Sequence, residues 1–284
     1  MKINLTFIIG ILFGIFMIVY GISIGDSLID LAFDQLWNFV DPASVMIVLG
    51  GTLATMIAGN PPRALLRFPK HLGIILNQKR FDPQGIIDEV VELAQIARKN
   101  GLLALEERAN QMEDNPFFKK SIMLIVDGND ADKVRAMLES DIDQLSTRHD
   151  DVATMYERAS SAAPAFGMIG TLIGLINMLT NMNVESGGNS IGKDMGVALI
   201  TTFYGCILAH LIFNPIANSL RTRDEEECLC LQIIVDGIMA IQSGENPKFI
   251  REKLEGYLEQ SVLEGGGEKR ERRGKRGRSS KEEE

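Results

Sequence analysis

Four long apolar segments without a single Asp, Glu, Lys or Arg constrain this chain more than any other feature of its sequence. They occupy residues 5–24, 42–59, 162–182 and 195–220. About 20 apolar residues are enough for a helix to cross the hydrocarbon core of a bilayer. The sequence therefore predicts an all-α membrane protein with four transmembrane helices. The first segment follows Lys2, but it is too long for a secretory signal, and we interpret it as a retained anchor.

The distribution of Lys and Arg predicts the orientation of these helices. Residues 25–41 contain neither, and residues 183–194 contain a single Lys. By contrast, the polar segments after the second and fourth helices begin with basic clusters at 63–70 and 221–223. Because basic loops stay on the cytoplasmic side, we expect a multi-pass protein of the bacterial inner membrane with both termini, and the long segment 61–161, in the cytoplasm.

The polar regions carry clear signals for helix starts and helix ends. Asp82-Pro83, Asn115-Pro116 and Asn246-Pro247 each combine a capping side chain with a proline at the first helical position. Glycine ends three of the predicted helices, at Gly101, Gly128 and Gly244. In the helix after Asp82, the spacing predicts a buried stripe of Ile86, Val90, Leu93 and Ala97.

Two of the membrane helices are expected to extend into the cytoplasm. No helix breaker separates residues 131–161 from the third span, and residues 221–242 keep the helical pattern of the fourth. The predicted organisation is then transmembrane helices 1 and 2 (1–60), a cytoplasmic helical domain (61–161), transmembrane helices 3 and 4 (162–220), cytoplasmic C-terminal helices (221–262) and a disordered charged tail (263–284).

Small and hydroxylated residues recur at helical spacing on the third and fourth spans. Lipid gains little from such residues, whereas a closely packed helix pair or a narrow polar path requires them. Tight packing alone explains the spacing as well as a polar path does. The residues that share one face are Ala163, Gly167, Gly170, Gly174, Asn177 and Asn181, with Thr171 beside them, on the third span, and Ala198, Thr202, Gly205 and Ala209 on the fourth.

Several function classes find no support in the sequence. A net charge of −9 argues against nucleic acid as a partner. His71, His149 and His210 are scattered without metal-ligand spacing, which argues against a metal site. There is no nucleophile elbow, phosphate loop or dinucleotide fingerprint, so we expect no catalytic residues, no cofactor and no enzyme activity.

Several sequence blocks carry a resemblance to a known family. They are 41–52 (DPASVMIVLGGT), 97–106 (ARKNGLLALE), 163–174 (APAFGMIGTLIG) and 201–205 (TTFYG) with 213–217 (FNPIA). In this order, the blocks resemble the MotA/PomA type of flagellar stator A subunit, within the wider group that includes TolQ and ExbB. The resemblance implies a homopentamer around two copies of a single-span B subunit, whose aspartate binds the translocating ion.

The resemblance also implies roles for individual residues. Thr171, Thr201 and Thr202 match the ion pathway, and Pro164 and Pro215 match prolines that couple ion binding to motion. The charged residues Arg98, Lys99, Glu106 and Glu107 look like the surface that engages the rotor's switch-complex protein, FliG. Gly167, Gly170, Gly174 and Gly205 are assigned to helix packing.

The four spans give an independent reason for a second subunit. None contains Asp, Glu, Lys or Arg, and an ion crossing a membrane needs a carboxylate or an equivalent coordinating group. Two alternatives stay open: an energiser of the TolQ or ExbB type, and a non-conducting membrane scaffold. The ion, proton or sodium, is also open, because threonine hydroxyls suit both.

Overall fold

The computed structural model describes residues 5–24, 33–66, 68–76, 81–112, 115–181 and 189–258. Over these ranges the regular secondary structure is helical, with no β-strand. Four helices are long and apolar enough to cross a membrane. The predicted all-α membrane fold with four transmembrane helices is therefore confirmed.

The chain divides into two compact units, each with its own core. Unit 1 contains Met1–Lys79 and Arg148–Thr222, and unit 2 contains Arg80–Thr147 and Arg223–Glu284. The predicted disordered tail, residues 263–284, lies outside the described residues.

Unit 1 holds the apolar helices. The predicted continuity of the third and fourth helices is confirmed, because one helix runs for 51 residues from Ala131 to Asn181 and the chain from 191 to 242 is helical throughout. The elements are α1 (Leu5–Ser23), a 3-10 helix (Phe33–Phe39), α2 (Pro42–Gly59, π-helical over Met46–Gly50), α3 (Pro62–Leu65), α4 (Phe68–Leu76), residues 148–181 of α8 (Ala131–Asn181), α9 (Asn189–Ile207), a π-helical stretch (Leu208–Phe213) and the start of α10 (Asn214–Gln242).

The core of unit 1 lies around Tyr156 on α8. Its side chain is fully buried, and its ring centroid is 5.5 Å from that of Phe68 on α4. The Tyr156 hydroxyl lies 3.3 Å from Nδ1 of His71, also on α4. Because a buried hydroxyl without a partner costs about 1–3 kcal/mol, this contact favours the packing of α4 against α8. One and two turns further along α8, Ala159 and Ala163 are buried in the same core, and their side chains are only methyl groups.

Unit 2 contains the polar helices, and they begin where the sequence predicts. Asp82, Asn115 and Asn246 each accept a hydrogen bond from a backbone N–H of the first helical turn, at 3.1 Å in every case. Positive φ angles at the three predicted glycines end helices as expected. The elements are α5 (Pro83–Asn100), a 3-10 turn (Leu102–Ala104), α6 (Leu105–Asn110), α7 (Pro116–Val126), the start of α8, the end of α10 and α11 (Pro247–Glu255).

The predicted buried stripe of α5 is only half right. Val90 and Leu93 are fully buried, but Ile86 and Ala97 are only partly covered. Ile87, Val91 and Ala94 are buried instead. The physical reason is that α5 is covered by more than one neighbour. α11 packs along it, and α10 approaches so closely at Gly237 that a Cβ there would lie 2.6 Å from Val90.

Candidate functional site

Three threonine hydroxyls meet one backbone carbonyl where α8 and α9 cross. Oγ1 of Thr171 on α8 lies 2.7 Å from Oγ1 of Thr202 on α9. The Ala198 carbonyl oxygen is 3.0 Å from Thr171, 3.0 Å from Thr201 and 3.4 Å from Thr202. Thr171 is 31 positions from Thr202 in the sequence, and only the packing of α8 on α9 brings their oxygens together.

The three hydroxyls of this cluster share the Ala198 carbonyl oxygen as an acceptor. A carbonyl oxygen has two lone pairs, and each hydroxyl donates one hydrogen bond and accepts two. Ala198 therefore cannot satisfy all three donors. Thr171 and Thr201 have second acceptors on their own helices, at Gly167 and Val197. The hydroxyl oxygens keep free lone pairs, which can accept a hydrogen bond from water or contact a cation.

Burial separates the two neighbouring threonines. Thr201 is fully buried, whereas Thr202 is exposed and Thr171 is half-buried. The Thr201 side chain fills the space beside Gly170, where an added Cβ would lie only 2.4 Å from its methyl carbon. On α9 the buried face therefore runs through Thr201, while Thr202 lies at its edge, accessible from outside the chain.

The four predicted packing glycines lie at the closest approaches of α8 and α9. A Cβ on Gly167 would be 3.0 Å from the Thr201 carbonyl oxygen, and one on Gly174 would be 2.6 Å from that of Asp194. A Cβ on Gly205 would be 2.7 Å from the Ala163 carbonyl oxygen. These neighbours are backbone atoms, so the helices would have to move apart. Asn177, the next residue predicted on this face, is exposed, and the side chain of Asn181 is outside the described part.

Pro164 lies inside α8 without ending it. Proline has no N–H for the carbonyl four residues earlier, which here belongs to Ser160. The Ser160 hydroxyl is buried and donates a hydrogen bond of 3.1 Å to the Ala209 carbonyl oxygen across to the fourth helix. Sequence reasoning missed Ser160. The available signal was a serine four residues before a proline in a continuous helix.

Pro215 is the second residue after the π-helical stretch Leu208–Phe213. It provides no N–H for the Leu211 carbonyl, while the Asn214 N–H donates to Ala209, five residues back. π-helical turns often occur at functional sites and are a known cause of local bending. The Ala209 carbonyl thus accepts hydrogen bonds from both Ser160 and Asn214, and both prolines border this one irregular region.

The predicted charged residues lie on the two sides of the turn between α5 and α6. Arg98 and Lys99 are in the last turn of α5, and Glu106 and Glu107 are in the first turn of α6. Each sign is the favourable one for its helix end. All four side chains are exposed. Within the described residues, none of the four forms an ion pair.

A neighbouring ion pair that sequence reasoning missed joins α5 to α6. Arg108 Nη2 lies 3.1 Å from Oε1 of Glu92. Beside it, burial raises the pKa of the Glu89 carboxyl, and the Arg108 guanidinium opposes that rise. Arg108 therefore links α5 to α6 through an exposed ion pair, and the four charged residues of the turn between these helices are not part of it. In the part of the chain that the structure describes, no group of His, Cys, Asp and Glu is arranged to hold a metal ion.

The chain is similar to known motility proteins over most of its length. Residues 109–233 match the MotA/TolQ/ExbB proton channel family. Motility protein A of Borreliella burgdorferi is 38% identical over 244 residues, which cover 85% of this chain and 92% of that protein. The chain belongs to the MotA family. A further relative of this MotA family protein is chemotaxis protein PomA of Vibrio alginolyticus. It is 39% identical, over 90% of this chain and 95% of that protein.

A solved structure agrees with this assignment. The flagellar MotAB stator complex from Bacillus subtilis contains a chain with a TM-score of 0.79 and 25% identity, over 90% of this chain and 96% of that one. MotA family proteins are ion-channel subunits of the flagellar stator and not enzymes. This chain is therefore a multi-pass stator A subunit of the bacterial inner membrane.

Proposed function

We propose that this stator subunit lines an ion path whose carboxylate comes from a single-span B subunit. The observation that carries the proposal is the contact between the hydroxyls of Thr171 and Thr202 at the edge of the α8–α9 pair, in spans that contain no Asp, Glu, Lys or Arg. The hydroxyls can replace part of an ion's hydration shell, but they do not balance its charge. A carboxylate from another chain supplies that charge.

The proposed assembly contains five copies of this chain around two B subunits, embedded in membrane lipids. The similar solved structure is a MotAB stator complex, which supports a B-subunit partner. The exposed apolar surface of α8, including Met168, Leu172, Ile176 and Leu179, supports further contacts within the membrane with lipid or neighbouring subunits. Both termini and unit 2 lie in the cytoplasm in this proposal, as the Lys and Arg distribution favours.

Ion flow is proposed to rotate the ring of A subunits against the B subunits. One charge that crosses about 100 mV releases roughly 2.3 kcal/mol. This free energy is comparable to the net contribution of a few hydrogen bonds, about 0.5–1.5 kcal/mol each. Pro164 and Pro215 border the irregular region around the Ala209 carbonyl, where the helix hydrogen bonds are already incomplete. Changes at the threonine cluster would be transmitted to motion through this region.

The turn between α5 and α6 is the proposed contact with the rotor protein FliG. Arg98, Lys99, Glu106 and Glu107 are exposed there, with both signs available. Exposed ion pairs are worth about 0 to 1 kcal/mol each, which suits contacts that must form and break at every step.

The need for a B subunit is tested by ion flux into vesicles. Vesicles that contain only this chain are expected to conduct no ions, because the spans lack a charge-balancing group. Vesicles with both subunits are expected to conduct, and flux measured across sodium concentrations at fixed pH distinguishes sodium from protons. Flux through this chain alone would refute the two-subunit path. No flux with either composition would favour a non-conducting scaffold.

The rotor contact is tested by charge reversal. Cells with the double substitution Arg98→Glu and Glu106→Arg are expected to lose most of their torque, while expression and ion flux stay normal. Each single neutral substitution should reduce torque only modestly. Compensating reversals on the rotor protein should restore swimming. Normal swimming by the double variant would show that the rotor contact lies elsewhere. It would also favour the alternative hypothesis, an energiser of the TolQ or ExbB type.

A further inference from the structure

One leucine at the turn between α5 and α6 is much more exposed than its neighbours. Leu103 keeps 74% of its surface exposed, whereas Leu105 is fully buried and Leu102 packs partly against the core of unit 2. A single exposed leucine on a protein surface is ordinary. Leu103 is different because of the conformation that holds it and the charges that flank it in the sequence.

The backbone fixes the position of Leu103. Gly101 has φ 83° and ψ 167°, a conformation that is open only to glycine. Its N–H donates to Ala97 at 2.9 Å, and its carbonyl accepts the Ala104 N–H at 3.2 Å. With Leu105 buried directly after the turn, Leu103 is held outward on a short, hydrogen-bonded element. A side chain on such a pre-organised turn loses little conformational entropy when it binds.

Charged residues flank this leucine in the sequence, before and after the turn. Arg98 and Lys99 precede the turn, and Glu106 and Glu107 follow it. All four are exposed and make no ion pair within the described residues. An apolar centre with a polar rim is the usual arrangement of a protein–protein contact, and the two signs require a partner that carries complementary charges in the opposite order.

We propose that Leu103 is the apolar anchor by which this subunit binds the rotor protein. The proposal rests on the rotor contact proposed above and adds the chemistry of the partner surface. That surface has an apolar pocket of leucine size, with an acidic group on the side that faces Arg98 and a basic group on the side that faces Glu106. The charges select and orient the partner, and the leucine provides the part of the affinity that salt does not screen.

The experiment compares Leu103→Ala with Phe249→Ala in the full A and B complex in lipid nanodiscs. Phe249 is a matched control, since it is an exposed apolar residue of unit 2, 57% exposed, on α11. Binding to the purified rotor protein is measured at low salt and at about 1 M salt, where the Debye length is about 3 Å. We expect Leu103→Ala to bind about tenfold more weakly or worse at both salt concentrations, and Phe249→Ala to bind normally.

Three outcomes would overturn the proposal, and they can be told apart. If Leu103→Ala binds normally while the double reversal of Arg98 and Glu106 does not, the anchor is wrong and the rotor contact stands. If neither Leu103→Ala nor the double reversal changes binding, the proposed rotor contact itself is wrong. If Leu103→Ala changes the mass of the stator complex without changing rotor binding, the leucine contacts a second copy of this chain. Normal ion flux through the Leu103→Ala complex and through the double-reversal complex is the control that both variants fold.

Discussion

Cells in which Thr202 is replaced by valine are expected to assemble stators and not to swim. Valine nearly matches the shape of threonine but has no hydroxyl, so the contact with Thr171 and the exposed oxygen at the edge of the α8–α9 pair are both lost. Because Thr202 is exposed in this chain, we do not expect the substitution to leave a buried polar atom without a hydrogen-bond partner. The measurements are swimming speed, ion flux with the B subunit, and the amount of stator complex in the membrane.

Thr55→Val is the control for this experiment. Thr55 lies on α2, is exposed, and donates only to the Gly51 carbonyl of its own helix, at 3.0 Å. Its replacement removes a hydroxyl from a span without touching the α8–α9 pair, and normal swimming is expected. If Thr202→Val cells also swim with normal torque, Thr202 is a packing residue, and the ion path does not use its hydroxyl.

Gly205→Ala is expected to lower the stability of the complex, whereas Gly196→Ala, on the same helix, is not. A Cβ at Gly205 would lie 2.7 Å from the Ala163 carbonyl oxygen and 3.1 Å from the Pro164 Cα. Both are backbone atoms, so α8 and α9 would have to separate. Overpacking of this kind costs about 1–3 kcal/mol. We expect a lower melting temperature of the solubilised complex and a marked loss of torque.

At Gly196 a Cβ would meet no atom within 4 Å. There, Gly→Ala only improves helix propensity, by up to about 1 kcal/mol, so stability should stay constant or rise. Equal behaviour of the two variants in thermal melts would show that the close approach at Gly205 is not needed for packing.

Local signals in the sequence were enough to predict where most helices begin and end. Asp82, Asn115 and Asn246 cap helices because their short side chains reach the N–H groups of the next turn. Gly101 ends α5 because only glycine adopts its backbone conformation without strain. Such effects act within four or five residues of the chain, and so they can be recognised in a single sequence.

The length and polarity of the apolar segments likewise determined the membrane fold. Four uncharged stretches of this length have few alternatives to transmembrane helices. The absence of a breaker between residues 131 and 161 was enough to predict one long α8. Motif resemblance then led to the MotA family, which the similarity of the whole chain confirms.

The sequence could not determine which faces of these helices meet. Spacing placed Thr202 on the small-residue face of the fourth span, yet Thr201 is the buried residue and Thr202 lies at the edge. On α5, the same kind of reasoning chose Ile86 where the structure buries Ile87. Adjacent residues differ by about 100° around a helix, and sequence periodicity does not fix the rotation of a helix more finely when several neighbours cover it.

Contacts between distant residues were decided only by tertiary structure. The Ser160 hydroxyl reaches the Ala209 carbonyl across 49 positions of sequence, and Thr171 reaches Thr202 across 31. Helix propensity and polarity determine what each segment becomes, because they depend on neighbouring residues. The candidate ion pathway depends on where two helices approach within hydrogen-bonding distance, and that is fixed by packing of the entire α8–α9 surface.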